Sequence, residues 1–182
     1  AAGREDVDVA VLGSGRPFVL ELKNPMKRLV DLGDLQKRIN TEAAGQIEVF
    51  DLRYSSRREA RSLKTRSPAS AKTYLAQVVF DLDLDQSKLD ELEASLSNVS
   101  VEQKTPTRVL GRRSDRTRRK MLYGLSARKM NDNTAEFTIR AQGGLYIKEL
   151  ITGDNGRTTP NVCQALGCGA LKIDLTVLDI DR

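Results

Sequence analysis

The sequence predicts an α+β fold: a mixed, mainly antiparallel sheet with short helices between its strands. Three observations carry that expectation. Apolar residues alternate at period two in several separate stretches, helical spacing is confined to short runs, and no strand-then-long-helix alternation of the doubly wound kind recurs. A chain of 182 residues, 39% of them hydrophobic, supports one domain with a single core over 1–182.

Val7, Val9 and Val11 alternate before Gly13-Ser14-Gly15-Arg16-Pro17, and Phe18, Leu20 and Leu22 alternate after it, which predicts a β-hairpin. Asp31 or Asp34 can cap a short helix with Leu32, Leu35 and Ile39 on one face, ending near Gly45. A strand over Ile47, Val49 and Leu52 follows. Tyr74, Ala76, Val78 and Phe80 share one face of a strand over 73–82. Leu89, Leu92 and Leu96 recur at helical spacing behind Ser87, a helix over 87–97. Met121–Met130 and Ala135–Ala141 read as strands, the latter with Phe137 and Ile139 together, until Gly143-Gly144 breaks the pattern. Tyr146–Leu150 makes one helical turn, Gly153-Asp154-Asn155-Gly156 a chain reversal, and Pro160 opens another short helix. Leu171, Ile173, Leu175 and Val177 close the chain as a strand.

Charge is distributed unevenly. Thirty Lys and Arg against twenty-five Asp and Glu give +5 overall. Yet Arg53–Lys72 holds seven basic residues against Glu59 alone, and Lys104–Lys120 holds eight against Asp115 alone. Such arginine-rich blocks suit a polyanion, because each phosphate contact releases condensed counterions and a guanidinium matches phosphate geometry. Four Phe, four Tyr and no Trp argue against an extended single-strand stacking platform and for a folded, mainly duplex nucleic acid gripped by its backbone. With no histidine, Ser-His-Asp, Cys-His and His-ligated metal chemistry are excluded. Cys163 and Cys168 make neither a disulfide framework nor a zinc site, so no metal and no cofactor is expected. No apolar run reaches the length of a membrane span, and no signal-peptide pattern opens the chain, so an intracellular location is expected.

Gly3-Arg4-Glu5-Asp6-Val7-Asp8-Val9 crowds a cation and three acids at the entry to an apolar alternation. A nucleophilic carboxylate needs a fixed backbone, a nearby cation and little water. A solvated acidic loop fits the same residues, and Asp8 shares the side-chain parity of Asp6.

Several segments together resemble the pseudouridine synthases: Gly3–Asp6, Lys72-Thr73-Tyr74, Gln103–Arg113, Gly144–Leu150 and Gly153–Asn161. Their order resembles the Pus-ten class of archaea and eukaryotes, tRNA pseudouridine synthases of the TΨC-arm uridine 54/55 type. By that resemblance Asp6 matches the catalytic aspartate and Arg4 the arginine that fills the space left by a flipped uridine. Tyr74 matches the active-site tyrosine, which stacks on the base or helps remove the C5 proton. Lys148 matches the cation paired with the catalytic carboxylate, while Ile147 or Leu150 supplies apolar wall. Lys104, Arg108, Arg112 and Arg113 fall in the basic block assigned to RNA. The implied reaction breaks the C1′–N1 bond, turns the uracil and joins C5 to C1′, with Asp6 forming an adduct or abstracting a sugar proton.

The resemblance implies the C-terminal catalytic region of a larger enzyme, with upstream strands and a THUMP-containing region outside this chain and activity of the piece alone not expected. The partner is tRNA through its TΨC arm, the state monomeric, the location nucleus or cytoplasm. A non-catalytic RNA-binding module with the same fold is the alternative, and a basic scaffold for a protein partner is a third reading.

Overall fold

Lys72, Tyr74, Ala76, Val78 and Phe80 turn one face of strand β2 (Ala71–Phe80) into the molecule, as their period-two spacing predicts. The computed structural model describes residues 9–66 and 70–181. Two antiparallel neighbours flank β2: β5 (Thr134–Gln142) and β7 (Ala170–Ile180). Beyond β5 lie β4 (Thr117–Asn131), β3 (Val99–Lys104) and β6 (Thr158–Thr159), again antiparallel. Beyond β7 lies β1 (Val9–Val11), the one parallel pairing among the described residues. The order is therefore β1-β7-β2-β5-β4-β3-β6, the mixed, mainly antiparallel sheet that the alternation implied.

Packing, rather than propensity, holds the three short helices that line the core. Leu89 and Leu92 of α3 (Gln86–Ser95), Ile147, Leu150 and Ile151 of α4 (Ile147–Thr152), and Val162 and Leu166 of α5 (Val162–Leu166) join the strand residues in one core. Phe80 and Phe137 meet edge to face at its centre, their centroids 6.1 Å apart. Asp85, not Ser87, caps α3 by accepting from the Ser87 amide. Asp31 caps α1 (Leu32–Glu42) by accepting from the Asp34 amide, as expected.

Two expectations are corrected. Phe18, Leu20 and Leu22 form no strand: they are exposed, and no neighbouring strand takes up their backbone groups, so alternation alone did not suffice. The 47–52 stretch is also irregular, because the Asn40 side chain bonds both the amide and the carbonyl of Val49 and replaces a strand partner. The first basic block is partly helical. Ser56 and Glu59 bond each other's backbone amides in a capping box that opens α2 (Arg57–Arg66). The 17–30 segment leaves Leu20 74% and Met26 103% exposed. Strand β3 was not anticipated, since a buried glutamine, Gln103, occupies an inward position of its alternation.

Candidate functional site

The site begins at an irregularity in the sheet. Thr73 pairs with Asp179 but Tyr74 with Val177, so Leu178 is an extra residue in β7 and its carbonyl is released from the ladder. That carbonyl accepts the Ser14 amide at 3.3 Å, and the Ser14 hydroxyl donates to Asp179. A Cβ at Gly13 would stand 2.2 Å from the same oxygen, at a φ of +64°, so only glycine lets the turn seat there. The seated turn delivers Arg16, whose Nε and Nη2 are buried.

Arg16 lies close enough to Lys72 and Tyr74 for its charge to be felt by both. Lys72 and Tyr74 are each only 5% exposed. Burial, and then the Arg16 charge, bring the Lys72 amine down to about 8. Burial pushes the Tyr74 phenol up to about 12, with Arg16 opposing it. A phenol so placed stays protonated near neutrality, so it can donate a hydrogen bond or form a wall but cannot serve as a resident phenolate base.

Helix α4 adjoins this end of β2. Gln142 pairs with Ala71, Gly143 donates its amide to Ser70, and Leu145 donates to Gln142, so the chain leaves β5 beside the start of β2 and turns into the helix. Ile147 and Leu150 are buried in the same core as Tyr74, and Lys148 between them is half-buried. Gln103 fixes the start of α4 by accepting the Tyr146 amide at 2.8 Å and donating to its carbonyl at 3.0 Å.

The basic loop between β3 and β4 is fastened to the same helix. Glu149, its side chain 6% exposed, receives Arg108 in two contacts, Nε to Oε1 at 2.6 Å and Nη2 to Oε2 at 3.3 Å. The Arg108 guanidinium also lies over the Tyr146 ring, and Arg113 donates to the Tyr146 hydroxyl. Asp154 accepts the Thr107 amide, while Arg157 donates to the Thr105 carbonyl and pairs with Asp115. The Arg157 hydrogen bond holds the Asp115 carboxyl below its usual range. Arg118 is drawn into this frame through Thr105, whereas Lys104, Arg112, Arg113, Arg116 and Arg119 remain at the surface. Arg57, Arg58 and Arg61 stand exposed on α2.

Thus Tyr74, Ile147 and Leu150 share one core, Lys148 sits on the adjoining helix, and Lys104, Arg108, Arg112 and Arg113 occupy or border a loop clipped to it. Arg4, Asp6 and Asp8 lie outside the described residues. Among the described residues no three His, Cys, Asp or Glu side chains are gathered so as to hold a metal ion. Arg16 was read only as part of a turn, and Glu149 and Arg157 only as members of family motifs, with no role given to any of them. Lys72 was noted only as part of a motif, although its parity with Tyr74 marks it as inward.

The family described as Pus10, C-terminal matches residues 1–181. The chain belongs to that family. It is 49% identical over 182 residues to the tRNA pseudouridine synthase Pus10 of Thermofilum pendens, covering 100% of this chain and 41% of that protein. It is 43% identical over 180 residues to the protein of the same name from Pyrococcus furiosus, covering 98% and 45%. The chain therefore spans less than half the length of these relatives. A crystallised Cbf5-Nop10-Gar1 complex is similar over 60% of this chain and 30% of that one, at 20% identity and a TM-score of 0.49, and adds nothing to the assignment.

Proposed function

We propose that residues 1–182 are part of the catalytic domain of an enzyme that isomerises uridine to pseudouridine in tRNA, at position 54, 55 or both in the TΨC arm. The observation that carries this reading is membership, over nearly the full sequence, of a family whose relatives bear that activity in their names. The geometry is consistent with it. Tyr74 and the apolar Ile147 and Leu150 belong to one core, Lys148 sits on the same short helix, and a surface rich in arginine is fastened alongside.

In this reading the strand yields one uridine, whose unstacking costs a few kcal/mol, and Arg4 fills the gap it leaves. Asp6 is the reacting carboxylate, kept anionic by Lys148. Cleavage of C1′–N1, rotation of the uracil and formation of C5–C1′ then leave C5 to lose its proton and N1 to gain one, so the reaction is a redox-neutral isomerisation. Tyr74, protonated near neutrality, walls or hydrogen-bonds the base. Tyr74→Phe is accordingly expected to keep turnover within about threefold, whereas loss of a general base costs roughly 100-fold or more. A loss of that size, measured in single-turnover kinetics, returns the proton-removing role to the phenol.

The direct test incubates the whole protein with an unmodified tRNA transcript and maps pseudouridine by carbodiimide-dependent primer-extension stops. Conversion in the TΨC arm is expected. Salt-sensitive binding without conversion would instead favour an RNA-binding module. Replacing Arg112, Arg113, Arg116 and Arg119 by Gln is expected to weaken tRNA binding by about 100-fold near 0.1 M salt and to flatten the salt slope by about three to four. Unchanged affinity in filter-binding titrations counts against both RNA readings and leaves the protein scaffold.

A further inference from the structure

We propose that Gln103, Thr158 and Asn161 are positioning residues for the reaction, a buried polar frame that ties both ends of α4 and so sets the place of Lys148. The role of Lys148 rests on the isomerase reading, whereas the frame itself is a matter of hydrogen bonds. With six residues, α4 is too short to hold itself, since the unpaired backbone groups at its two ends are nearly all it has. Its N-cap, Tyr146, makes no side-chain capping bond. The missing partner comes from β3: Gln103, 2% exposed, accepts the Tyr146 amide at 2.8 Å and donates to the Tyr146 carbonyl at 3.0 Å.

The same Gln103 side-chain nitrogen donates to Oγ1 of Thr158, its cross-strand partner on β6, at 3.1 Å. Thr158 in turn donates its backbone amide, at 3.1 Å, to the carbonyl of Gly153, the residue that closes α4. Gly153 has a φ of +78°, and a Cβ there would stand 2.8 Å from the Asn161 side-chain nitrogen, so glycine is what lets Asn161 lie against the helix end. Asn161 donates to the Thr158 carbonyl at 3.0 Å and accepts the Gln164 amide at 2.8 Å. One run of bonds thus joins the start of α4 to its end through buried side chains.

Ile147, Leu150 and Ile151 anchor α4 in the core, but apolar contact is not directional and does not by itself choose the rotation of a helix. Hydrogen bonds at both ends do, and a buried network whose groups are satisfied specifies one arrangement. Precision of that kind matters at a reacting centre, where a misplacement of about 1 Å can cost about 100-fold in rate. Lys148, between the buried Ile147 and Glu149, is the side chain whose place the frame decides.

The test uses the whole protein. Gln103→Met keeps the side-chain length and removes every bond, Thr158→Val keeps the shape and removes the hydroxyl, and Val101→Ala, a core truncation on the same strand, lowers stability without touching the frame. The Leu150 and Gly153 amides, bonded to the Tyr146 and Glu149 carbonyls, are expected to exchange about 30-fold faster in Gln103→Met than in Val101→Ala. Single-turnover rates at saturating protein should fall about 30-fold in Gln103→Met and about tenfold in Thr158→Val, with tRNA affinity within about threefold of the wild type. Val101→Ala should keep the rate within about threefold, and Thr158→Ser, which retains the hydroxyl, should restore it to the same range. The Gln103→Met, Thr158→Val double variant should lose less than the product of the single losses, because both break one frame. If Gln103→Met does not fold, Thr158→Val against Thr158→Ser carries the comparison. Rates within about twofold of the wild type, a loss confined to tRNA affinity, or a loss that Val101→Ala reproduces overturns the proposal, as does unchanged exchange at Leu150 and Gly153. A wild-type protein that converts no uridine overturns the isomerase reading, and the exchange rates, read without turnover, still decide whether the frame holds α4.

Discussion

Glu149→Ala is expected to cost the fold about 2 kcal/mol and to loosen the basic loop from α4. Breaking a buried ion pair from one side costs about 3–5 kcal/mol, because the remaining charge stays behind without its counter-ion. The Arg108 side chain is 36% exposed and can turn toward water, which lowers that figure. The carboxylate is the seat for a guanidinium that spans 41 residues of sequence, so its loss should act locally as well as globally. Arg112 and Arg113, next to the 3-10 turn Thr107–Val109, are exposed sites for trypsin. Two kcal/mol of local destabilisation raises the open fraction by about 30-fold, and cleavage there should accelerate to match. Denaturant titration and timed trypsin digestion check the two halves. A wild-type cleavage rate in Glu149→Ala would mean that Asp154, Asp115 and Arg157 hold the loop unaided.

Asp6→Ala in the whole protein is expected to remove pseudouridine formation, with turnover down by about 10,000-fold or more, while tRNA affinity stays within about threefold. The contrast is the informative part, since a carboxylate that only shaped the fold would lower both. Asp8→Ala is the companion, because the two acids stand two positions apart in the sequence. Its turnover should remain near that of the wild type. Isomerisation surviving Asp6→Ala would falsify the assignment, and the reverse pattern would transfer it to Asp8.

Where side chains follow the period of their element and meet a partner, the fold was legible from sequence. Tyr74 to Phe80, Leu89 to Leu96 and Phe137 with Ile139 are such cases, and β2, α3 and β5 fall where their spacing places them. Phe18, Leu20 and Leu22 show the opposite case, an alternation with no strand beside it. Gln103 hid β3 because a buried amide that bonds the Tyr146 backbone looks like a surface residue in one dimension. Of the candidate site, Tyr74, Ile147, Lys148 and Leu150 stood out through family resemblance. Arg16 and Glu149 did not, because a charge made tolerable by distant chain carries no local signature. The Leu178 bulge is likewise a property of two strands in register rather than of either alone.

The water-facing Leu20, Leu22, Met26 and Leu29 also govern how these stability differences can be read. An environment-sensitive dye such as ANS binds solvent-facing hydrocarbon whether or not a protein has melted, so its signal should already be high in the intact molecule and rise little on heating. Tryptophan emission offers no substitute, since the chain has no such residue. Scanning calorimetry or far-ultraviolet circular dichroism, which register heat and backbone order instead, are the probes able to rank the variants.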